Sequence, residues 1–160
     1  MKIATWNVNS AKVREPRLLP WLDQRAPDVV CLQELKCQDE GFPRAEIEAA
    51  GYAVETLGQK AYNGVALLVR APLAMSEIRR GLPGDDTDEQ ARYIEALISG
   101  EGVRPVRVAS IYLPNGNPVG TDKFPYKLRW FERLNAHARS LLAYEEPLAL
   151  CGDYNVIPEP

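Results

Sequence analysis

The chain has 160 residues, 46% of them hydrophobic, which suits one globular domain and leaves too little for two. Its formal net charge of −3 excludes a uniformly basic nucleic-acid coat, although local basic patches remain compatible with it. No apolar run reaches bilayer length and no secretory-type leader opens the sequence, so the expectation is a soluble, cytoplasmic protein.

Residues 1–8 alternate enough to predict a first strand, with Trp6 beside Asn7 and the polar Asn9 and Ser10 at its end. Leu18, Leu19 and Leu22 then recur at helical spacing, but Pro16 and Pro20 interrupt the run, which predicts a short helix over 17–24. Residues 28–34 are β-branched and apolar and fit a second strand, parallel to the first after a crossover helix, ending in Gln33 and Glu34. Ile47 and the alanines around it predict a short exposed helix over 43–50, with Gly51 at its C-cap. Residues 52–57 and 64–70 read as a hairpin joined through Tyr62-Asn63-Gly64.

Residues 81–90 read as loop, where Pro83-Gly84 turns the chain and Asp85, Asp86, Asp88 and Glu89 form a charge run expected to be solvated. Residues 93–99 and 103–113 form another strand pair around Gly100 and Gly102, and the second strand exits into Tyr112-Leu113-Pro114-Asn115-Gly116. Leu128, Phe131, Leu134, Ala138, Leu141 and Leu142 make one stripe that predicts a long helix over 127–144. The lone histidine, His137, sits in that helix and reads as a partly exposed flank. Residues 148–155, Leu-Ala-Leu-Cys-Gly-Asp-Tyr-Asn, read as a strand covered on both faces that presents Asp153 and Asn155 on one side as oxygen ligands for a hard cation. Cys31, Cys37 and Cys151 lack zinc-type spacing and read as core thiols of a reducing compartment. Strands and helices mix without repeats, which predicts a single α/β or α+β unit.

Several strands thus end in polar side chains: Asn7, then Gln33 and Glu34, then Tyr112, then Asp153 and Asn155. The stretches Ala4-Thr5-Trp6-Asn7-Val8-Asn9-Ser10, Leu32-Gln33-Glu34-Leu35-Lys36, Asn63-Gly64-Val65-Ala66-Leu67-Leu68, Tyr112-Leu113-Pro114-Asn115-Gly116 and Gly152-Asp153-Tyr154-Asn155 occur in that order. With them the chain resembles the exodeoxyribonuclease III family of AP endonucleases, in the endonuclease/exonuclease/phosphatase superfamily. The resemblance implies a four-layer α/β sandwich and a Mg²⁺-dependent DNA repair nuclease, with Mn²⁺ as a possible substitute. Its implied activities are hydrolysis of the phosphodiester 5′ to abasic sites and 3′–5′ exonuclease action on double-stranded DNA, by a monomer when full length.

The resemblance further implies that Asn7 and Glu34 lie at the metal site, with Asp153 and Asn155 beside them around the attacking water, and that Tyr112 meets the scissile phosphate. Arg92, at the loop-to-strand junction, and Lys123, just before the long helix, are its implied DNA-binding residues. Each residue also has a plainer reading: Asn7 as a backbone cap, Glu34 as an ion-paired strand end, Asp153 with Asn155 as an Asx-turn, Tyr112 as a strand tyrosine with a wet hydroxyl. Lys36 and Lys127, like Arg92 and Lys123, are individually expected to be solvated. The family continues past these motifs to a tryptophan-rich loop and a Ser-Asp-His motif that the 160 residues do not contain. The expectation is therefore the N-terminal part of one such domain, weak or inactive alone. The alternatives are another phosphodiesterase or phosphatase of the superfamily, or a non-catalytic fragment or half of a split enzyme.

Overall fold

The computed structural model describes residues 1–157. Its elements run β1 Ile3–Asn7, α1 Ala11–Arg25, β2 Val29–Gln33, a 3₁₀ turn Asp39–Gly41, α2 Arg44–Ala49, β3 Tyr52–Leu57, β4 Val65–Arg70, β5 Ala74–Arg80, β6 Tyr93–Gly100, β7 Val103–Tyr112, α3 Lys123–Leu142 and β8 Leu148–Asp153. They make two four-stranded sheets, ordered β1-β2-β4-β3 and β5-β6-β7-β8. β1 with β2, and β7 with β8, are parallel; the other pairs are antiparallel.

Strand alternation accounts for the layers. Val29 and Cys31 of β2, with Val65, Leu67 and Val69 of β4, face the second sheet and pack on Ile94, Ala96, Ile98 and Val108. The intervening Val30, Leu32, Ala66 and Leu68 point the other way, onto Leu18 and Leu22 of α1 and Ile47 of α2. The outer face of the second sheet buries Tyr93, Ala109 and Ile111 under Trp130 and Leu134 of α3. The result is the expected four-layer sandwich, helices outside and two sheets within. Among the described residues no helix is long and apolar enough to cross a membrane.

Four expectations are corrected. Helix α1 runs straight through Pro16 and Pro20 instead of covering only 17–24. Both prolines are exposed, so the carbonyls that lose a helical partner face water, while Leu18 and Leu22 hold the opposite face in the core. Helix α3 begins at Lys123, with Pro125 in its first turn where a missing N–H costs nothing, and it buries Trp130, Leu134, His137 and Leu141. The predicted stripe is therefore rotated, leaving Leu128 and Leu142 exposed and His137 inside.

Strand β5 has no counterpart in the sequence reading, because a bulge between Ser76 and Arg79, with Glu77 at φ 49°, breaks its alternation. Finally, β8 is half-buried along its whole length and not covered on both faces, since β7 is its one strand partner among the described residues.

Candidate active site

Parallel pairing brings the strand ends together. Asn7 is the register partner of Gln33 at the end of β1 and β2, and Tyr112 is the partner of Asp153 at the end of β7 and β8. The two sheets stack so that both ends open on one edge of the sandwich. A buried polar bolt ties them just beneath: Gln33 Nε2 donates to Ser110 Oγ on the other sheet at 3.0 Å, and Ser110 Oγ donates back to the Leu32 carbonyl at 2.8 Å. Sequence reading had noticed Gln33 only as a strand-end residue; its cross-sheet partner lies 77 positions away.

At this edge the Asn7 amide nitrogen donates to Glu34 Oε1 and to Asp153 Oδ2, both at 2.8 Å. One short side chain thereby joins two carboxylates from different sheets. Glu34 leaves β2 in a left-handed conformation at φ 55°, and Asn9, Ser10 and Lys36 around it also have positive φ. Backbone hydrogen bonds hold that turn: Ser10 N–H donates to the Glu34 carbonyl at 2.8 Å, and Leu35 N–H to the Gly64 carbonyl at 3.2 Å. Non-glycine residues in this region cost roughly 1–3 kcal/mol each, so the surrounding structure overrides local preference to aim Glu34.

Burial alone would raise the Glu34 pKa, but hydrogen bonds from Asn7, Tyr112 and Lys36, together with the Lys36 charge, hold it below its ordinary value. Lys36 is not merely solvated: its Nζ lies 2.5 Å from Asn9 Oδ1 and 3.3 Å from Glu34 Oε2. The Tyr112 phenol is pushed up to about 12, first by burial and then by the Glu34 charge and hydrogen bond. It therefore remains a proton-bearing donor at neutral pH.

Asp153 uses its other oxygen, Oδ1, to accept from the Asn155 N–H at 2.9 Å, an Asx-turn. Asn155 lies beyond the strand at φ 47°, so the turn, and not strand alternation, places it beside Asp153. Its side-chain amide donates to the Leu113 carbonyl at 2.7 Å, and its own carbonyl accepts from Lys127 Nζ at 2.7 Å. Lys127 is thus a clamp on this turn, contrary to the solvated reading.

Arg92 and Lys123 line one cleft of about 450 Å³ with Tyr112, Asn115 and Tyr126. The Arg92 guanidinium lies over the Tyr112 ring, 4.9 Å from its centroid, and donates to the Tyr112 carbonyl at 3.2 Å. Lys123 is exposed. A larger cleft of about 740 Å³, lined by Glu95, Arg107 and His137, lies away from these strand ends. It is not the site, because its buried charges already satisfy one another: His137 Nε2 is 2.8 Å from Glu95 Oε2, and Arg107 bonds Glu146 and Glu77.

The donors that converge at the edge are carboxylate and amide oxygens, which suit a hard divalent cation. Among the described residues no three His, Cys, Asp or Glu side chains gather into a ready-made cage. That suits Mg²⁺ or Mn²⁺ better than Zn²⁺, since Mg²⁺ takes one or two carboxylates and keeps water or substrate oxygens. Glu34, with Asn7 beside it and Asp153 opposite, fits that requirement.

Residues 4–160 match the sequence model of the Endonuclease/Exonuclease/phosphatase family. The chain is 35% identical over 160 residues to exodeoxyribonuclease III of Haemophilus influenzae, covering 99% of this chain and 58% of that protein. Its fold is similar to that of the 3′ phosphatase NExo from Neisseria, solved bound to a product DNA hairpin: TM-score 0.91 at 39% identity, over 99% of this chain and 59% of that one. It is similar also to an AP endonuclease from Archaeoglobus fulgidus, TM-score 0.89 at 37% identity, over 100% of this chain and 59% of that one. The chain therefore spans somewhat under 60% of the length of these relatives.

Proposed function

Because the chain belongs to the endonuclease/exonuclease/phosphatase family, we propose that it serves a metal-dependent DNA repair nuclease, hydrolysing the phosphodiester 5′ to abasic sites and removing nucleotides from 3′ ends of duplex DNA. The observation that carries this reading is the Asn7 amide held 2.8 Å from both Glu34 and Asp153. Phosphodiester hydrolysis needs a positioned nucleophile, neutralised phosphate charge and a stabilised leaving oxygen.

Glu34 and Asn7 would hold Mg²⁺ or Mn²⁺, with Asp153 and Asn155 bordering the same space. A cation bound there supplies charge neutralisation at the phosphate oxygens. Asp153 accepts the proton of the attacking water, and its Asx-turn to Asn155 fixes the carboxylate plane for that task. Asn155 orients the water from the opposite side of the turn. Tyr112, with its pKa pushed up to about 12, donates its phenolic proton to a non-bridging phosphate oxygen. Arg92 and Lys123 contact neighbouring phosphates from the cleft, which adds affinity without reading sequence.

Relatives extend well past the matched region, so this 160-residue part is proposed as one portion of the catalytic domain, monomeric in the whole protein. A second reading, removal of a 3′ phosphomonoester, is favoured by the resemblance to a named 3′ phosphatase. One assay separates them: the full-length protein with Mg²⁺ is offered duplexes carrying an abasic site, a recessed 3′ hydroxyl end or a 3′ phosphate. Incision at the abasic site, lost in EDTA, supports the first reading. Release of phosphate alone moves the assignment to the second, and no turnover of any of the three refutes both.

A further inference from the structure

The acidic loop before β6 was expected to be solvated, yet Asp88 within it is buried, its side chain 7% exposed. Its carboxylate faces three donors from outside its own turn or beyond: Arg133 Nη1 at 2.7 Å, the Tyr126 hydroxyl at 2.9 and 3.1 Å from its two oxygens, and the Gln90 N–H at 3.1 Å. Arg133 also donates from Nη2 to the Leu82 carbonyl at 2.5 Å and from Nε to the Pro83 carbonyl at 3.1 Å, fastening the loop to α3.

The anchored groups lead directly to the active edge. Tyr126 and Gln90, which both bond Asp88, also touch Arg92: the Tyr126 ring centroid lies 5.9 Å from its guanidinium carbon, and Gln90 Oε1 accepts from its Nε at 2.7 Å. On its other side Arg92 lies over Tyr112. Nε and Nη1 are thus occupied, while among the described residues Nη2 has no hydrogen-bond partner and belongs to the group lining the cleft. A guanidinium carries five donors, so this packing fixes its plane and leaves the outer fork for an anion.

We infer that Asp88, through Tyr126 and Gln90, is a positioning residue: it holds the Arg92 guanidinium flat between Tyr112 and Tyr126 so that its outer edge meets a phosphate of the bound nucleic-acid strand. A flexible arginine would lose side-chain freedom on each binding event, whereas this one is ordered beforehand. The inference rests on the proposed DNA-cleaving function for its kinetic consequence, but the arginine's order is a property of the protein alone.

Tyr126→Phe is the sharpest probe, since it keeps the ring and deletes only the hydroxyl that Asp88 accepts; Asp88→Asn is the second. The full-length protein is examined twice, by ¹⁵N NMR of the Arg92 Nε–H and by steady-state cleavage of an abasic duplex with Mg²⁺. Each variant is expected to broaden or erase the Arg92 Nε–H signal and to raise KM about tenfold with kcat near wild type. Neither adds to the loss already caused by Arg92→Lys. An unmoved Arg92 signal with unchanged KM in Tyr126→Phe overturns the inference, as does full additivity with Arg92→Lys. If the wild-type protein cleaves nothing, the functional reading falls, and the NMR signal alone decides the positioning.

Discussion

Asn7 and Asp153 are 146 positions apart in the chain, yet the Asn7 amide donates to Asp153 Oδ2 at 2.8 Å across the junction of two sheets. The same nitrogen reaches Glu34, so Asn7 is what allows two carboxylates to approach one another. Without it they repel, and Glu34 also loses a hydrogen bond that favours its charged form. Asn7→Ala is expected to weaken cation binding and kcat about 10- to 100-fold, the usual scale for a residue that orients metal ligands. Asn7→Asp, adding a third negative group, is expected to lower stability in EDTA and regain it as Mg²⁺ is titrated in, which a melting curve reads directly.

Asp153 is assigned the attacking water's proton. Asp153→Asn preserves size and can still accept from the Asn155 N–H, so the fold should remain. The expected loss is in kcat, about 10²- to 10⁴-fold, with KM little changed. Single-turnover cleavage of an abasic duplex measures it, and a wild-type rate would remove Asp153 from the chemistry.

Tyr112 and Glu34 are linked through their titration. The folded pKa of Glu34 lies below its ordinary value of 4.5, so its charged form stabilises the fold fully above about pH 4.5, and that contribution is lost as pH falls through the lower folded pKa. Tyr112→Phe removes one of the hydrogen bonds that lower it. The Glu34 carboxyl, followed by ¹³C NMR in EDTA, should therefore titrate at higher pH in the variant than in the wild type. An unchanged titration would place the Tyr112 hydroxyl elsewhere.

Gly152 sets the distance between β8 and β7. A Cβ there would lie 2.0 Å from the Ile111 carbonyl oxygen, closer than any relaxation of a side chain can relieve. Gly152→Ala must push β8 away from β7 and carry Asp153 with it. A stability loss of about 1–3 kcal/mol or more is expected from urea unfolding, accompanied by loss of cleavage greater than the unfolded fraction explains.

Much of this architecture was legible because the inner strands are covered on both faces and read as continuous apolar runs, as in Val29 to Gln33 and Val65 to Arg70. The strand-end residues were legible for a different reason: parallel strands in a sandwich open on a common edge, so polar groups at several strand ends converge. What stayed hidden depends on tertiary partners. The bulge at Glu77 erased the period of β5, and exposure of Pro16 and Pro20 made two helix breakers harmless. His137 and Asp88 are polar residues placed in the interior by partners 42 and 45 positions away, Glu95 and Arg133, and no local pattern announces either pair.

The central claim is that Glu34, with Asn7 and opposite Asp153, forms a divalent-cation site at the shared edge of the two sheets. Titrating Mn²⁺ into the purified chain, followed by electron paramagnetic resonance, tests this without requiring catalysis. The account predicts one saturable site whose affinity falls at least about tenfold in Glu34→Gln, while the melting temperature in EDTA stays close to wild type. Equal Mn²⁺ affinity in the wild type and in Glu34→Gln would contradict it.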